Sequence, residues 1–268
     1  MIVERDDLPF ELSAARVRLI CASHFGCHAD GVLLLDRARS KDAVASLRIF
    51  NPDGSEAEIS GNGARQAILY VHREGWTTRQ TFSIETAAGE ITPTIIDART
   101  CAVEMGRARL QSPDFPSGPP DGRGTIAVGE RELAFQHVNI GNPQCVIEVG
   151  DELDELNLSK LGPAIERSEL FPRRTNVAFI EIEGGDRVRA RIFERGVGET
   201  LSSGTGACAA AVTATLRGSV SPLTVSLECG ELDVAVGPEL DVTLTGWAEP
   251  VFEGRFSDEF VAALAEAR

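Results

Sequence analysis

Long apolar runs are absent from this sequence of 268 residues. No stretch of about 18 or more apolar residues, the shortest length that indicates a transmembrane helix, occurs in it. The acidic start, MIVERDDLPFEL, lacks the basic region and the apolar region of a signal peptide. We therefore expect a cytoplasmic protein with no membrane partner.

Positive charge is also scarce. The 26 Lys and Arg residues stand against 41 Asp and Glu residues, which gives a formal net charge of −15. A surface of this sign repels phosphate backbones and anionic lipid headgroups. Nucleic acid is therefore not an expected partner.

Cysteine pairs spaced for zinc binding or redox chemistry are missing. The six cysteines are scattered without a C-x-x-C motif: Cys21, Cys27, Cys101, Cys145, Cys208 and Cys229. Neither a metal site nor a disulfide framework is indicated. We expect free thiols in a reducing compartment, and no metal.

Short segments rich in β-branched and apolar residues predominate, and they predict a protein built largely of strands. The predicted strands are Arg18–Cys21, Val32–Leu35, Ser46–Phe50, Phe82–Thr86, Gly89–Ile96, Ala102–Met105, Ala134–Ile140, Cys145–Val149, Asn176–Ile182, Arg187–Phe193, Thr224–Leu227, Leu232–Val236 and Leu240–Thr245. The predicted helices are Gly61–Arg73, Gly204–Leu216, Glu11–Ala22 and Asp258–Arg268. The proline-rich segment Ser112–Gly124 predicts a domain linker.

The chain contains an internal repeat. LRIFNPDGSEAEISGNGA aligns without a gap against ARIFERGVGETLSSGTGA, at a constant offset of 203 − 60 = 143 residues. Solenoid repeats have periods of roughly 20–50 residues, so this repeat predicts two similar domains. Each would run from a strand through a loop to Ser-Gly-x-Gly-Ala at the start of a helix.

The two Ser-Gly-x-Gly-Ala motifs have a structural and a functional interpretation. Serine is a favoured N-cap and glycine permits a tight turn, so one such motif alone indicates no more than a helix start. Two of them at matching places in a repeat predict helix N-termini that face a shared cleft, and the unpaired N–H groups there favour a carboxylate.

Six stretches, in order and spacing, resemble the diaminopimelate epimerase family over nearly the whole chain. They are Gly26–Leu34, Phe50–Arg65, Val138–Val146, Leu161–Phe179, Phe193–Cys208 and Thr245–Gly254. The resemblance implies an α+β fold of two pseudo-symmetric domains, each with a curved, mostly antiparallel sheet or barrel around a central helix. It places the domains at residues 1–111 with 255–268, and at residues 112–254. It also implies a cofactor-independent isomerase and suggests a homodimer.

The same resemblance implies which residues form the site. The family's two catalytic thiols match Ser60 and Ser203, and a family histidine matches Gln144. Binding of the substrate's carboxylate and amine is implied for a set present throughout: Asn51, Gly61, Asn62, Asn142, Asn176, Glu194, Arg195, Gly204 and Thr205. The expected ligand is a small carboxylate.

The departures from the family pattern change the expected chemistry. A helix N-terminus can lower a thiol pKa from about 8.5, whereas an alcohol stays protonated without a strong adjacent base. Gln144 can only hydrogen-bond where a histidine could exchange protons. The family's opening strand motif is also not found, since Met1-Ile2-Val3 aligns just after it.

Three hypotheses follow. The leading one is a diverged isomerase that moves a proton on an amino-acid-like or unsaturated carboxylic acid, with Glu194, Glu56 or Asp53 as a base whose pKa is raised by burial. The second is a diaminopimelate epimerase of lysine and peptidoglycan synthesis whose cysteines were replaced by serine to trap a complex. The third is a catalytically silent module that binds an amino acid.

Overall fold

The computed structural model describes residues 1–57 and 60–267. The chain forms two compact units: unit 1 comprises Met1–Val103 with Trp247–Arg268, and unit 2 comprises Glu104–Gly246. The sequence-based boundaries at residues 111 and 254 therefore differ from the limits of these units by several residues. Each unit is described by itself below.

Seventeen strands and five α-helices occur among the described residues. The strands are β1 (Ile2–Glu4), β2 (Val32–Arg37), β3 (Ala43–Phe50), β4 (Glu56–Ala57), β5 (Ser83–Thr86), β6 (Gly89–Ile91), β7 (Pro93–Ile95), β8 (Thr100–Arg107), β9 (Arg123–Val128), β10 (Arg131–Asn139), β11 (Pro143–Glu148), β12 (Asn176–Gly184), β13 (Arg187–Glu194), β14 (Gly198–Thr200), β15 (Leu223–Leu227), β16 (Gly230–Val236) and β17 (Asp241–Trp247). The helices are α1 (Ala14–Cys21), α2 (Gly61–Arg73), α3 (Leu158–Glu166), α4 (Gly204–Leu216) and α5 (Asp258–Glu266), with 3-10 turns at Arg5–Asp7 and Gly150–Glu155.

Unit 1 is built on a sheet with the strand order β1-β2-β3-β5-β6, to which β4 is added as a partner of β3. Strands β7 and β8 pair as an antiparallel hairpin. Helix α2 contacts β2 and β3, and α1 contacts α5. The α2 bounds match the prediction, because the helix begins directly after a capping serine.

The predicted strand Arg18–Cys21 is wrong, since these residues form the second half of α1. Ser13 caps this helix by accepting a hydrogen bond from Arg16 N at 3.3 Å. Val17, Ile20 and Cys21 are buried at spacings of three and four residues, which suits one helix face. A short apolar run alone does not distinguish such a face from a strand.

Unit 2 encloses a central helix. Its sheet has the order β17-β16-β15-β13-β12-β11-β10-β9, with β14 paired to β13. Helix α4 contacts β10, β11, β12, β13, β15 and β16. Every residue from Gly204 to Ala214 is buried, and their mostly small side chains let the sheet approach the helix from several sides.

The predicted linker Ser112–Gly124 is also wrong for the described structure, because Phe115 within it packs into the core of unit 2. Phe115 is 6% exposed and its ring centroid lies 5.2 Å from that of Phe135 and 5.6 Å from that of Phe171. The prolines break regular structure here, but the aromatic side chain holds the segment in place.

Helix α3 was not predicted from the sequence, because Gly162 and Pro163 lie inside it and both disfavour helix. A Cβ at position 162 would lie 2.3 Å from the Phe193 ring, so packing requires glycine there.

No helix of the described residues is long and apolar enough to span a bilayer.

Candidate active site

The two repeated motifs adopt the same local structure. Ser60 Oγ accepts a hydrogen bond from Gly63 N at 3.2 Å, and Ser203 Oγ accepts one from Gly206 N at 3.3 Å. The φ and ψ angles are −138° and 119° at Ser60 and −144° and 118° at Ser203. Both serines are therefore helix N-caps, as their sequence context predicts.

The repeat extends to the hairpin that precedes each helix. Phe50 pairs with Glu56 in unit 1 and Phe193 pairs with Glu199 in unit 2. An ion pair accompanies each hairpin: Arg48 to Glu56 at 2.8 Å, and Arg191 to Glu199 at 2.6 Å. Residues that lie 143 positions apart therefore match in strand pairing and in ion pairs as well as in residue type.

In unit 1 the loop before the helix is exposed and held by its own side chains. Asn51 Nδ2 donates to Ser55 Oγ at 3.0 Å, and Ser55 Oγ donates to Asp53 Oδ1 at 2.6 Å. Hydrogen bonds from the side chain and backbone of Ser55 lower the pKa of Asp53. The hydrogen bond from Arg48 lowers the pKa of Glu56.

These two pKa shifts contradict part of the sequence-based hypothesis. The hypothesis takes Asp53 and Glu56 as bases whose pKa is raised by burial, but hydrogen bonds that favour the charged form lower the pKa of both instead. Each carboxylate is therefore a weaker base than an ordinary side chain of its type. Of the three carboxylates, Glu194 remains the candidate base.

Arg65 is a site-adjacent residue that the sequence interpretation missed. Its guanidinium donates to Gly61 O at 3.1 Å and to Asn62 Oδ1 at 2.7 Å, and the residue is 4% exposed. A buried cation thus lies against the first turn of α2, where it fixes the Asn62 side chain and favours a bound anion. The signal available in sequence was an arginine one helical turn after Gly61.

In unit 2 three polar side chains form a connected group at the start of α4. Gln144 Nε2 donates to Asn142 Oδ1 at 2.8 Å and to Thr205 Oγ1 at 3.2 Å. Asn142 Nδ2 also donates to Thr205 Oγ1 at 3.2 Å. Gln144 is fully buried, and its Oε1 has no hydrogen-bond partner within the part of the chain that the structure describes. This oxygen can accept a hydrogen bond from a ligand.

A second group of side chains holds the turn that carries Glu194 and Arg195. Asn176 Nδ2 donates to Pro143 O at 3.1 Å, and Asn176 Oδ1 accepts from Arg195 N at 2.8 Å. Gly196 N donates to Oε1 of the buried Glu166 at 2.9 Å. The structure therefore brings Asn142, Gln144, Asn176 and Arg195 onto adjacent elements of unit 2.

Glu194 differs from these neighbours in its hydrogen bonding. It ends β13 and is half-buried, and among residues 1–57 and 60–267 no group hydrogen-bonds to its carboxylate. A carboxylate with vacant acceptor positions can receive a proton from a bound molecule.

Neither capping serine has a general base beside it. Within the described residues, the only hydrogen bond to each hydroxyl comes from the backbone N–H of Gly63 or Gly206. Ser203 is moreover 4% exposed. An alcohol in this setting stays protonated, so both hydroxyls can donate a hydrogen bond but cannot abstract a proton from carbon.

No cluster of His, Cys, Asp or Glu that could hold a metal ion occurs in the described residues.

Comparison with known proteins agrees with this architecture. Residues 2–111 and 136–249 match the family model for diaminopimelate epimerase. A relative named diaminopimelate epimerase from Pelotomaculum thermopropionicum is 40% identical over 245 residues, which are 88% of this chain and 86% of that protein. One of the same name from an Azoarcus species is 38% identical over 258 residues, 95% of this chain and 93% of that protein.

Solved structures share the fold at low sequence identity. A probable proline racemase from Agrobacterium radiobacter has a TM-score of 0.66 at 17% identity, over 92% of this chain and 83% of its own. A predicted epimerase from Pseudomonas aeruginosa has a TM-score of 0.65 at 16% identity, over 94% of this chain and 93% of its own. A methylitaconate-delta-isomerase has a TM-score of 0.57 at 11% identity, over 92% of this chain and 90% of its own. These structures confirm the predicted α+β fold.

The family model covers most of this chain, and both relatives align over nearly their whole length. The chain therefore belongs to the diaminopimelate epimerase family, as a cofactor-independent isomerase of that fold.

Proposed function

We propose that this protein is a diverged isomerase that moves a proton on an amino-acid-like or unsaturated carboxylic acid whose C–H bond is more acidic than an unactivated α-carbon. The observation that carries the proposal is the state of the two serines. Each still caps a helix start suited to a carboxylate, yet neither has a base beside it in the described structure. Anion binding is thus supported where thiol-based proton transfer is not.

We assign the role of base to Glu194. In this proposal its carboxylate takes the proton from one substrate carbon and returns it, on the same face, to another carbon of the conjugated system, so that no proton is gained or lost overall. A carboxylate is a much weaker base than an unstabilised carbanion, so this step needs a substrate whose conjugate base is delocalised. An acid with a conjugated double bond meets that condition.

The remaining residues bind and orient the acid in this proposal. Gly204 and Thr205 supply helix N–H groups, and the Ser203 hydroxyl donates a further hydrogen bond. Asn142, Asn176 and Arg195 contribute polar contacts, and Gln144 Oε1 accepts from a donor on the ligand. Unit 1, considered by itself, has a helix start of the same kind at Ser60, Gly61 and Asn62.

Deuterium exchange tests the proposal. The protein would be incubated in deuterium oxide with L,L-diaminopimelate, the common L-amino acids and short unsaturated mono- and dicarboxylic acids, and each acid analysed by NMR and mass spectrometry. We expect solvent deuterium in an activated acid. Glu194→Gln should reduce the exchange rate at least about 100-fold, in the range of general acid–base contributions.

A matched variant controls for nonspecific effects. Glu169→Gln makes the same chemical change at an exposed residue just after the C-terminal end of α3 and should leave the rate of deuterium exchange unchanged. Exchange that survives in Glu194→Gln would rule out Glu194 as the base. Tight calorimetric binding of an acid without any exchange would instead indicate a silent binding module.

A second candidate function is epimerisation of diaminopimelate itself, which is favoured by relatives of that name at 38% and 40% identity. Under this alternative the chain keeps the substrate specificity and has lost the two thiols. The double variant Ser60→Cys with Ser203→Cys should then epimerise L,L-diaminopimelate, while each single variant should not. A silent double variant that still folds and binds would exclude this function.

A further inference from the structure

A buried carboxylate lies behind the candidate site of unit 2, in the segment between β8 and β9. Asp114 is 4% exposed. Its Oδ2 accepts a hydrogen bond from Asn139 Nδ2 at 2.9 Å, and its Oδ1 pairs with the Arg173 guanidinium at 2.9 Å. Ser112 Oγ lies 3.3 Å from Oδ2. Both carboxylate oxygens are thus in use, which is the condition for a stable buried charge.

The first of these contacts leads to the turn that carries Asn142. Asn139 Oδ1 accepts a hydrogen bond from Gly141 N at 3.2 Å. Gly141 has a φ of +88°, a conformation that favours glycine. The side chain of Asn139 therefore joins Asp114 on one side to the start of this turn on the other.

The second contact leads to the other substrate-binding segment. The carbonyl oxygen of Arg173 accepts a hydrogen bond from Arg195 Nη1 at 3.0 Å. The Arg173 side chain is mostly exposed, and its ion pair with the buried Asp114 is the contact that restrains this segment where its backbone meets Arg195. Two loops that are 30 or more residues apart along the chain thus converge on a single carboxylate.

We propose that Asp114 is a positioning residue that holds the Gly141-Asn142 turn and the Arg195 side chain in a binding-ready arrangement. This inference rests on the proposed function, because it matters for catalysis only if Asn142 and Arg195 bind the substrate. Pre-organisation of this kind reduces the conformational entropy lost on binding. Removal of the charge should loosen both loops together, whereas removal of either partner should loosen one.

Hydrogen exchange measured by mass spectrometry tests the coupling without any ligand. Asp114→Asn keeps the shape and removes the charge, and it should raise amide exchange about tenfold in peptides spanning residues 140–144 and 193–198. Asn139→Ala should raise exchange only in residues 140–144. Arg173→Gln should raise it only in residues 193–198. Asp186→Asn, at an exposed hairpin position, is the matched control and should change neither.

Kinetics supply a readout that a purely structural role would not produce. With an acid identified by the deuterium screen, Asp114→Asn should raise KM about tenfold and change kcat less than about threefold, as expected for lost binding that is equal in ground and transition states. If the screen finds no acid, the exchange pattern still tests Asp114. Failure of the proposed function can therefore be distinguished from failure of the inference about Asp114.

Two results would overturn the inference. One is unchanged exchange in both loops of Asp114→Asn. The other is a uniform increase over all of unit 2, which would show loss of general stability. If Asp114→Asn does not fold, Asn139→Ala and Arg173→Gln decide. The inference is wrong if each of these variants raises exchange in both loops, or if neither variant raises exchange in any loop.

Discussion

Helix α2 of unit 1 and helix α4 of unit 2 each run thirteen residues from a capping serine, but their surroundings differ. Over residues Gly204–Ala214, α4 is buried on all sides, whereas α2 leaves Gln66 exposed. The loop before α2 is exposed and held by its own side chains, while the loop before α4 is tied to buried residues. The backbone of a duplicated motif has thus been kept while the packing around it has diverged.

The largest expected effect concerns Ala209 and Gln66, which occupy equivalent positions of the repeat. Each is replaced, in a separate variant, by the residue found at the other position. Ala209→Gln places an amide in a fully buried position and should destabilise the protein by about 3 kcal/mol or more, through overpacking and an unsatisfied polar group. Gln66→Ala should change stability by less than about 0.5 kcal/mol. Urea unfolding of both variants measures this contrast. Equal effects would show that the two helices are equally enclosed.

The next effect concerns the two equivalent arginines. Arg191 donates to the carbonyl oxygens of Leu153 and Leu156, both at 3.0 Å, in addition to pairing with Glu199. Arg191→Met leaves both carbonyls without this donor and should cost about 2 kcal/mol. Arg48→Met removes a partly exposed pair and should cost less than about 1 kcal/mol. The ranking is checked by thermal and urea unfolding, and a larger loss for Arg48→Met would reverse it.

The caps themselves should differ more modestly. Ser203→Ala should cost about 1–2 kcal/mol and Ser60→Ala about 0.5–1 kcal/mol, since loss of an N-cap is worth about 1 kcal/mol and Ser203 is the more buried of the two. Asparagine at either position can still accept the N–H and should restore most of the loss. Failure of asparagine to restore stability would mean that the serines contribute by something other than capping.

Local signals made part of this molecule predictable from sequence. The starts of α2 and α4 follow from serine and glycine at the cap, and the structure gives both helices the predicted bounds. The repeat also predicts two equivalent segments that run from a strand through a loop to a helix start, and the structure gives both segments the same strand pairing. These features depend on residues close together in the chain.

Features that depend on distant contacts were not predictable. Phe115 attaches a proline-rich segment to the core through Phe135 and Phe171, and nothing near it in sequence indicates those partners. Helix α3 forms despite Pro163, because Gly162 packs against Phe193. The roles of Asp114 and Glu166 similarly rest on contacts with residues about 25–60 and 30 positions away, which sequence patterns cannot supply.

The smallest expected effect is a pH dependence in the unit 1 ion pair. The hydrogen bond from Arg48 lowers the folded-state pKa of Glu56, so the ionised form stabilises the fold above the ordinary glutamate pKa of about 4.3, and this contribution is lost as the pH falls through the folded-state value. Because about a third of the Glu56 side chain is exposed, the contribution should be about 0.5 kcal/mol. Glu56→Gln should therefore be less stable than the parent at pH 7, and the difference should vanish as the pH falls well below about 4. Urea unfolding across this range measures the difference, with Arg48→Met as the background in which Glu56→Gln should have little effect at any pH. A difference that persists at the lowest pH would show that Glu56 acts through packing, in which case its ion pair with Arg48 contributes nothing to the contrast between the two units.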